Sequence, residues 1–426
     1  MDISPAAATG TLTAEIPAYP MPRASGCPLD PPPALRELLN HAPITRVRIW
    51  DGTSPWLITR FEDQRTLLAD PRISADSTNP NYPSESASLA ATNQFPATVT
   101  PDGEIKPAEP IAFITMDDPD HARQRRMISG AFAIKRVKAM RPAIQKIVDD
   151  LIDTMLSGPK PVDLVQAFAL PVPSLVICEL LGVPYEDHHF FQVRSSLLPK
   201  RTTPAELAVQ TLLELDDYLS HLIARKRTEP ADDLLTALAE RVATGELSQL
   251  QATNMGLMLL FGGHETTANM IALGTMALLQ HPEQMARVRE TEDAKLIAST
   301  VEELLRYLTI PQIGRRRVAL EDIAIGGVTI RAGESVICPL DIGNRDPEIF
   351  PNPDQLDIDR NPRKHIAFGF GVHQCLGQPL ARLELEIVYS TLYRRIPTLR
   401  LATDIEQIPF KDGAVVYGVD ELPITW

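Results

Sequence analysis

Residues 368–377 read Phe-Gly-Phe-Gly-Val-His-Gln-Cys-Leu-Gly and carry the most specific chemistry in the chain. Gly369, Gly371 and Gly377 flank a single cysteine, Cys375, just before a stretch of helical character. Glycine permits positive φ and lets backbone come close to a flat ligand. A cysteine at a helix N-terminus meets the positive end of the dipole and several unpaired N–H groups. Both favour thiolate over thiol. A buried thiolate needs a counter-charge, and a metal ion supplies one. A lone cysteine near a turn is ordinarily inert. The spacing of Phe368, Gly369, Gly371, His373 and Gly377 around this one argues for a ligand.

A second group lies in the middle of an apolar stretch, where residues 262–267 read Gly-Gly-His-Glu-Thr-Thr. Paired glycines weaken a helix. Threonine hydroxyls bond back to carbonyls and open the helical ladder. An acid and an alcohol in apolar surroundings are costly unless they are used. Apolar residues 257–261 and 270–273 flank the group, so a face turned to bulk solvent is the weaker reading. Glu303 and Arg306 are three apart and share a helix face. So do His121 and Arg125, which are four apart. From residue 121 to 141 the chain has seven Lys or Arg (Arg123, Arg125, Arg126, Lys135, Arg136, Lys138, Arg141) and no acid.

These groups need a scaffold. The pattern predicts a hairpin from alternation at 45–50, turn residues at 51–55 and an apolar run at 56–61. Residues 77–110 read as a long loop rich in Ser, Asn and Pro. Residues 120–240 read as mostly helical, broken by prolines. One long helix is expected within 246–280, another over about 293–307, and a third over about 378–395. Short strands are expected over 317–340 and in the last thirty residues. The fold class is α+β, mainly α, with an arm over residues 1–33 and one catalytic domain over 34–426.

Composition narrows the class. In 426 residues, 44% are hydrophobic and 23% charged, which excludes a disordered chain or a coiled coil. The net charge of −14 argues against non-specific binding to nucleic acid or anionic lipid. The four cysteines stand far apart, so neither a disulfide framework nor a zinc knuckle is expected. No stretch approaches the ~20 apolar residues of a membrane helix. With no signal peptide visible, a cytoplasmic protein is expected.

The segment around Cys375 resembles the haem-binding loop of the cytochrome P450 superfamily, in particular its soluble bacterial members. The resemblance runs from about residue 20 to the C-terminus. It implies a large helical domain with small β-sheets enclosing haem b (iron protoporphyrin IX), with Cys375 as thiolate axial ligand. Phe368, Gly369 and Gly377 would complete the loop. Glu265 and Thr266 would be the catalytic acid–alcohol pair. Thr266 would hold oxygen and an ordered water, and Glu265 would deliver protons. Gly262 would leave room for dioxygen and substrate, while His264 has no assigned role. His121, Arg125, His373 and Arg317 would bind the haem propionates, with Arg315 an alternative to Arg317. The Glu303–Arg306 pair would be structural, and Arg345 is the candidate to complete its network.

The resemblance also implies a monooxygenase that uses O2 to hydroxylate or epoxidise a hydrophobic small molecule. Substrate contacts would come from the 77–110 loop, Met258, Phe261, residues 310–313 (Ile310 and Ile313 above all) and 413–415 (Ala414 and Val415). A macrolide, terpenoid, steroid or cyclic peptide is the expected substrate class. The sequence contains no flavin or nicotinamide fingerprint, so electrons would come from a separate ferredoxin and ferredoxin reductase docking on the basic 121–141 segment. A monomer is expected. The alternative is a haem-thiolate nitric oxide reductase fed directly by NAD(P)H, and the Glu265–Thr266 pair argues against it. A haem-binding sensor is a third reading, but no signalling domain is visible.

Overall fold

The computed structural model describes residues 16–24, 26–85, 113–197 and 204–426. Its spine is the central helix Gln249–Leu279. Ser248 caps it with a reciprocal pair of bonds: its side chain accepts from the Gln251 backbone N–H, and the Gln251 side chain accepts from the Ser248 N–H. Buried residues occur all round this helix, as a helix surrounded by others requires. Helices Pro171–Leu181, Ala205–Lys226 and Gln378–Arg395 pack against it.

The strands are β1 (Ile44–Arg46), β2 (Trp56–Ile58), β3 (Ile73–Ser74), β4 (Val162–Asp163), β5 (Arg315–Ala319), β6 (Ile323–Ile325), β7 (Val328–Ile330), β8 (Ser335–Cys338), β9 (Arg400–Leu401) and β10 (Pro423–Thr425). The first sheet runs β1-β2-β8-β5-β3, with β1 and β2 forming the expected hairpin. β4-β10-β9 make a second sheet, and β6-β7 a third. This is the α+β, mainly α, architecture expected from sequence. Of the expected 77–110 loop, residues 77–85 form turns and bends. Residues 86–110 lie outside the described residues.

The described part of the arm is packed down. Tyr19 and Leu29 are buried, and Ala18 bridges to Arg48. Arg23 lies 3.5 Å from the buried Asp341 and stacks over the Tyr417 ring at 4.0 Å.

Glu303 and Arg306, on helix Ala294–Leu308, are wholly buried and joined by two 2.8 Å bonds. Arg306 also donates to the carbonyls of Asn344 and Pro353, pinning the irregular 341–370 stretch. The expected third member is corrected. Arg360, not Arg345, donates to Glu303 Oε1, at 3.1 Å. Arg345 instead donates to the Tyr307 carbonyl, Asp30 and Asp354. The reason is local: the Asp357 N–H also donates to Glu303 Oε1 and draws the turn carrying Arg360 onto the carboxylate.

Candidate functional site: a cysteine sulfur among arginines and histidines

Cys375 sits just ahead of helix Gln378–Arg395, its own N–H bonded to the Phe368 carbonyl at 2.8 Å. Burial pushes its thiol up. Arg315, Arg125 and the N–H groups of Gly377 and Gln378 pull it back toward thiolate. The helix-terminus argument from sequence is thus visible as two backbone bonds to sulfur. Of the three glycines, Gly369 (φ +73) and Gly371 (φ +74) need their backbone freedom, while Gly377 has an ordinary φ of −76. At Gly371 a Cβ would fall 2.2 Å from the Leu68 carbonyl oxygen, so this loop lies flush on helix Phe61–Ala69. Phe368 packs on the core, with Arg382 over its ring at 4.6 Å.

Beside the thiol stand two histidines, His121 and His373, and three arginines, Arg125, Arg315 and Arg317. His121 is buried. Its Nδ1 meets Asp118 at 3.0 Å, and its Nε2 has no partner. The His121 and His373 rings lie 4.2 Å apart. Arg125 donates to the Gln374 carbonyl at 2.6 Å. Arg315 and Arg317 leave the same face of β5, while Arg316 faces the other way and bonds to the Ser84 carbonyl. Strand alternation therefore puts Arg315 and Arg317 on one side of β5, where the charges of both reach His373. Burial and the charges of Arg317, His121, Arg125 and Arg315 push His373 down to about 3. Among the described residues Arg125, Arg315 and Arg317 form no ion pair, although the charges of Glu85 and Asp117 are felt at Arg315 and Arg317. Buried cations so arranged call for an anionic ligand.

Among the described residues no cluster of three or more His, Cys, Asp or Glu could hold a metal. A metal on Cys375 would find no such cluster of side chains around it among the described residues. Haem, whose iron would bind the Cys375 sulfur and whose two propionates would meet the arginines, fits both.

On the central helix, Thr266 Oγ1 donates to the Gly262 carbonyl at 2.7 Å, the back-bond anticipated from sequence. A Cβ on Gly262 would meet nothing within 4 Å, so this position faces open space. Glu265 is buried, and its Oε1 accepts from Lys411 Nζ at 2.7 Å and Asn269 Nδ2 at 3.1 Å. Burial alone would raise this carboxyl. Lys411, His264 and Asn269 together hold it below the ordinary value. Burial pushes the neighbouring His264 down to about 4, despite a hydrogen bond with the Leu170 backbone, so it is neutral near pH 7.

Met258 and Phe261 are partly buried against the core, and Ile310 and Ile313 are buried. Ala414 and Val415 are partly buried. Segments 310–313 and 414–417 do meet: the Tyr417 N–H donates to the Ile310 carbonyl, and Gln312 Nε2 to the Ala414 carbonyl.

Sequence reasoning missed Lys411, Asn269 and Arg360. Asn269, four residues after Glu265, could have been read from helix spacing. Lys411 gave no local signal.

In the basic segment, Arg123 pairs with Asp120, Arg136 with Asp232 and Arg141 with Glu386. Arg126, Lys135 and Lys138 are exposed and enter no ion pair among the described residues. Exposed Ile134 and Val372 accompany them. No helix among the described residues is long and apolar enough to cross a membrane.

Comparison with known proteins agrees with this geometry. The family model for Cytochrome P450 matches residues 185–412. The chain is 53% identical to Cytochrome P450 GfsF of Streptomyces halstedii, over 97% of each protein. The crystal structure of GfsF superposes with a TM-score of 0.89, covering 96% of this chain and all of that one. Pentalenic acid synthase of Streptomyces avermitilis is 46% identical, over 98% of this chain and 99% of that protein. Mycinamicin VIII C21 methyl hydroxylase of Micromonospora griseorubida, solved with mycinamicin VIII bound, is 40% identical with a TM-score of 0.87, covering 96% of this chain and all of that one. A fold, a thiol and a cation set read independently thus converge with whole-length likeness: the chain belongs to the cytochrome P450 family.

Proposed function

We propose that this cytochrome P450 monooxygenase hydroxylates or epoxidises a hydrophobic natural product, a macrolide, terpenoid, steroid or cyclic peptide. The relatives named for mycinamicin VIII and pentalenic acid support that substrate class. Haem, when bound, supplies the iron at which O2 is activated with two electrons and two protons.

The protein's share lies in placement. Cys375 is the sulfur ligand, its charge supported by the Gly377 and Gln378 N–H groups. His121, Arg125, His373, Arg315 and Arg317 take the propionates. Gly262 leaves space beside the helix, and Thr266 offers a hydroxyl that exchanges its Gly262 bond for one to an incoming ligand or water. Glu265 takes protons from the solvent side and passes them on. Met258, Phe261, Ile310, Ile313, Ala414 and Val415 form the apolar lining. A ferredoxin delivers electrons at Arg126, Lys135 and Lys138, having received them from its reductase, and its acidic surface is steered there electrostatically.

The observation that carries this reading is the unpartnered His121 Nε2 beside three arginines that form no ion pair among the described residues, next to Cys375. The test is the carbonyl spectrum of the reduced, haem-loaded protein and its loss in Cys375→Ser. It is followed by turnover with ferredoxin, reductase and a library of candidate substrates. Nothing in the comparisons supports the nitric oxide reductase alternative. NADH-driven consumption of nitric oxide, without oxygenated product, would restore it.

A further inference from the structure

The acid of the Glu265–Thr266 pair is held from outside its own helix. Lys411 Nζ lies 2.7 Å from Glu265 Oε1 and 3.2 Å from Asn269 Oδ1. Both partners of the ion pair are almost wholly buried, with side chains 12% and 10% exposed. Lys411 belongs to a C-terminal turn closed by the Phe410–Val419 bridge and by its own N–H bonding to the Gly418 carbonyl at 2.9 Å. The Phe410 and Tyr417 rings stack across this turn at 5.8 Å. A Cβ on Gly418 would fall 1.9 Å from Asn269 Oδ1, so only a glycine lets the turn lie against the central helix. Gln312 Nε2 fastens the far side by donating to the Lys411 and Ala414 carbonyls.

We propose that Lys411 is the positioning residue that keeps Glu265 a buried, oriented carboxylate. The C-terminal turn thereby sets the acid's readiness to relay protons. A relay acid takes one proton from solvent, passes one on and returns to carboxylate in each cycle. In a low-dielectric interior that return needs a nearby cation. Two titratable neighbours bear on Glu265: Lys411 from the turn and His264 from its own helix. Burial keeps His264 neutral, so the compensating charge is Lys411. The inference rests on Glu265 being the proton-relaying acid proposed above.

The test uses haem-loaded wild type, Lys411→Met, Lys411→Arg, Glu265→Gln and the double variant Glu265→Gln/Lys411→Met. The first readout is the thermal unfolding midpoint from pH 5 to 8. Without the ammonium, the Glu265 pKa rises above its ordinary 4.5. Lys411→Met should therefore lose stability, relative to wild type, increasingly as pH rises. Lys411→Arg should not, and the double variant should remove the trend. The second readout is NAD(P)H oxidation with ferredoxin, reductase and O2, in H2O and D2O. Lys411→Met should slow about tenfold, a part of the ~10²–10⁴-fold that a positioned proton donor supplies. Its pH profile should gain an ionisation that Lys411→Arg lacks. A slow Glu265→Gln beside a Lys411→Met with wild-type rate and pH profile overturns the proposal. A Glu265→Gln with wild-type rate overturns instead the relay role of Glu265 on which it rests.

Discussion

Arg360 Nε and Arg306 Nη2 converge on the same oxygen of Glu303, at 3.1 and 2.8 Å. With the Asp357 N–H on that oxygen too, the carboxylate joins helix Ala294–Leu308 to the irregular stretch that leads into the Cys375 loop. Breaking one side of such a pair strands a buried charge.

Glu303→Gln should therefore lower unfolding free energy by about 3–5 kcal/mol. In double-mutant cycles measured by chemical denaturation, Glu303 and Arg360 should couple by about 1–3 kcal/mol, and Glu303 and Arg345 by close to zero. Coupling to Arg345 instead would restore the sequence-based assignment.

Thr266→Ala should leave haem binding intact while diverting NAD(P)H equivalents to hydrogen peroxide several-fold more than in wild type. Thr266→Ser, which keeps a hydroxyl able to reach the Gly262 carbonyl, should recover most of the coupling. Unchanged peroxide yield in Thr266→Ala refutes the role given to that hydroxyl.

Reversing the charge of Arg126, Lys135 and Lys138 together should slow ferredoxin-dependent reduction by about tenfold or more at low salt. The gap from wild type should shrink as ionic strength rises, because exposed charges are screened over ~10 Å at 0.1 M. Reduction by dithionite should be unaltered. Equal slowing with dithionite would point to damage at the haem rather than to lost docking.

His264 gives a pH signature. Its pKa is about 4 in the folded protein against an ordinary 6.5. Between those values the unfolded chain binds the extra proton. The stability that neutral His264 contributes is thus fully present above about pH 6.5 and is lost as pH falls toward 4. At 1.36 kcal/mol per pKa unit this amounts to about 3 kcal/mol. His264→Leu should flatten the stability curve over that range, as read from denaturant midpoints at pH 4.5 and 7. An unchanged slope would assign the acid limb to other groups.

What the sequence made legible was local. The Cys375 loop, the 303–306 pair, the back-bonding Thr266 and the helix over 378–395 depend on residues within a few turns of one another. Their spacing is therefore their geometry. Alternation on β5 was equally legible and sends Arg315 and Arg317 to one side of the strand. Lys411 and Arg360 were illegible for a different reason. Each reaches its partner through a turn whose path is set by tertiary packing, at Gly418 in one case and Asp357 in the other. Neither position announces a carboxylate far away in sequence.

The tight seating of residue 371 makes closure of the Cys375 loop a long-range event. The Leu68 carbonyl occupies the place a side chain on residue 371 would fill. The sulfur-bearing loop therefore settles against a helix about three hundred residues away in sequence. A fragment without helix Phe61–Ala69 has no wall for that loop to lean on, so the loop closes only once those two segments have met.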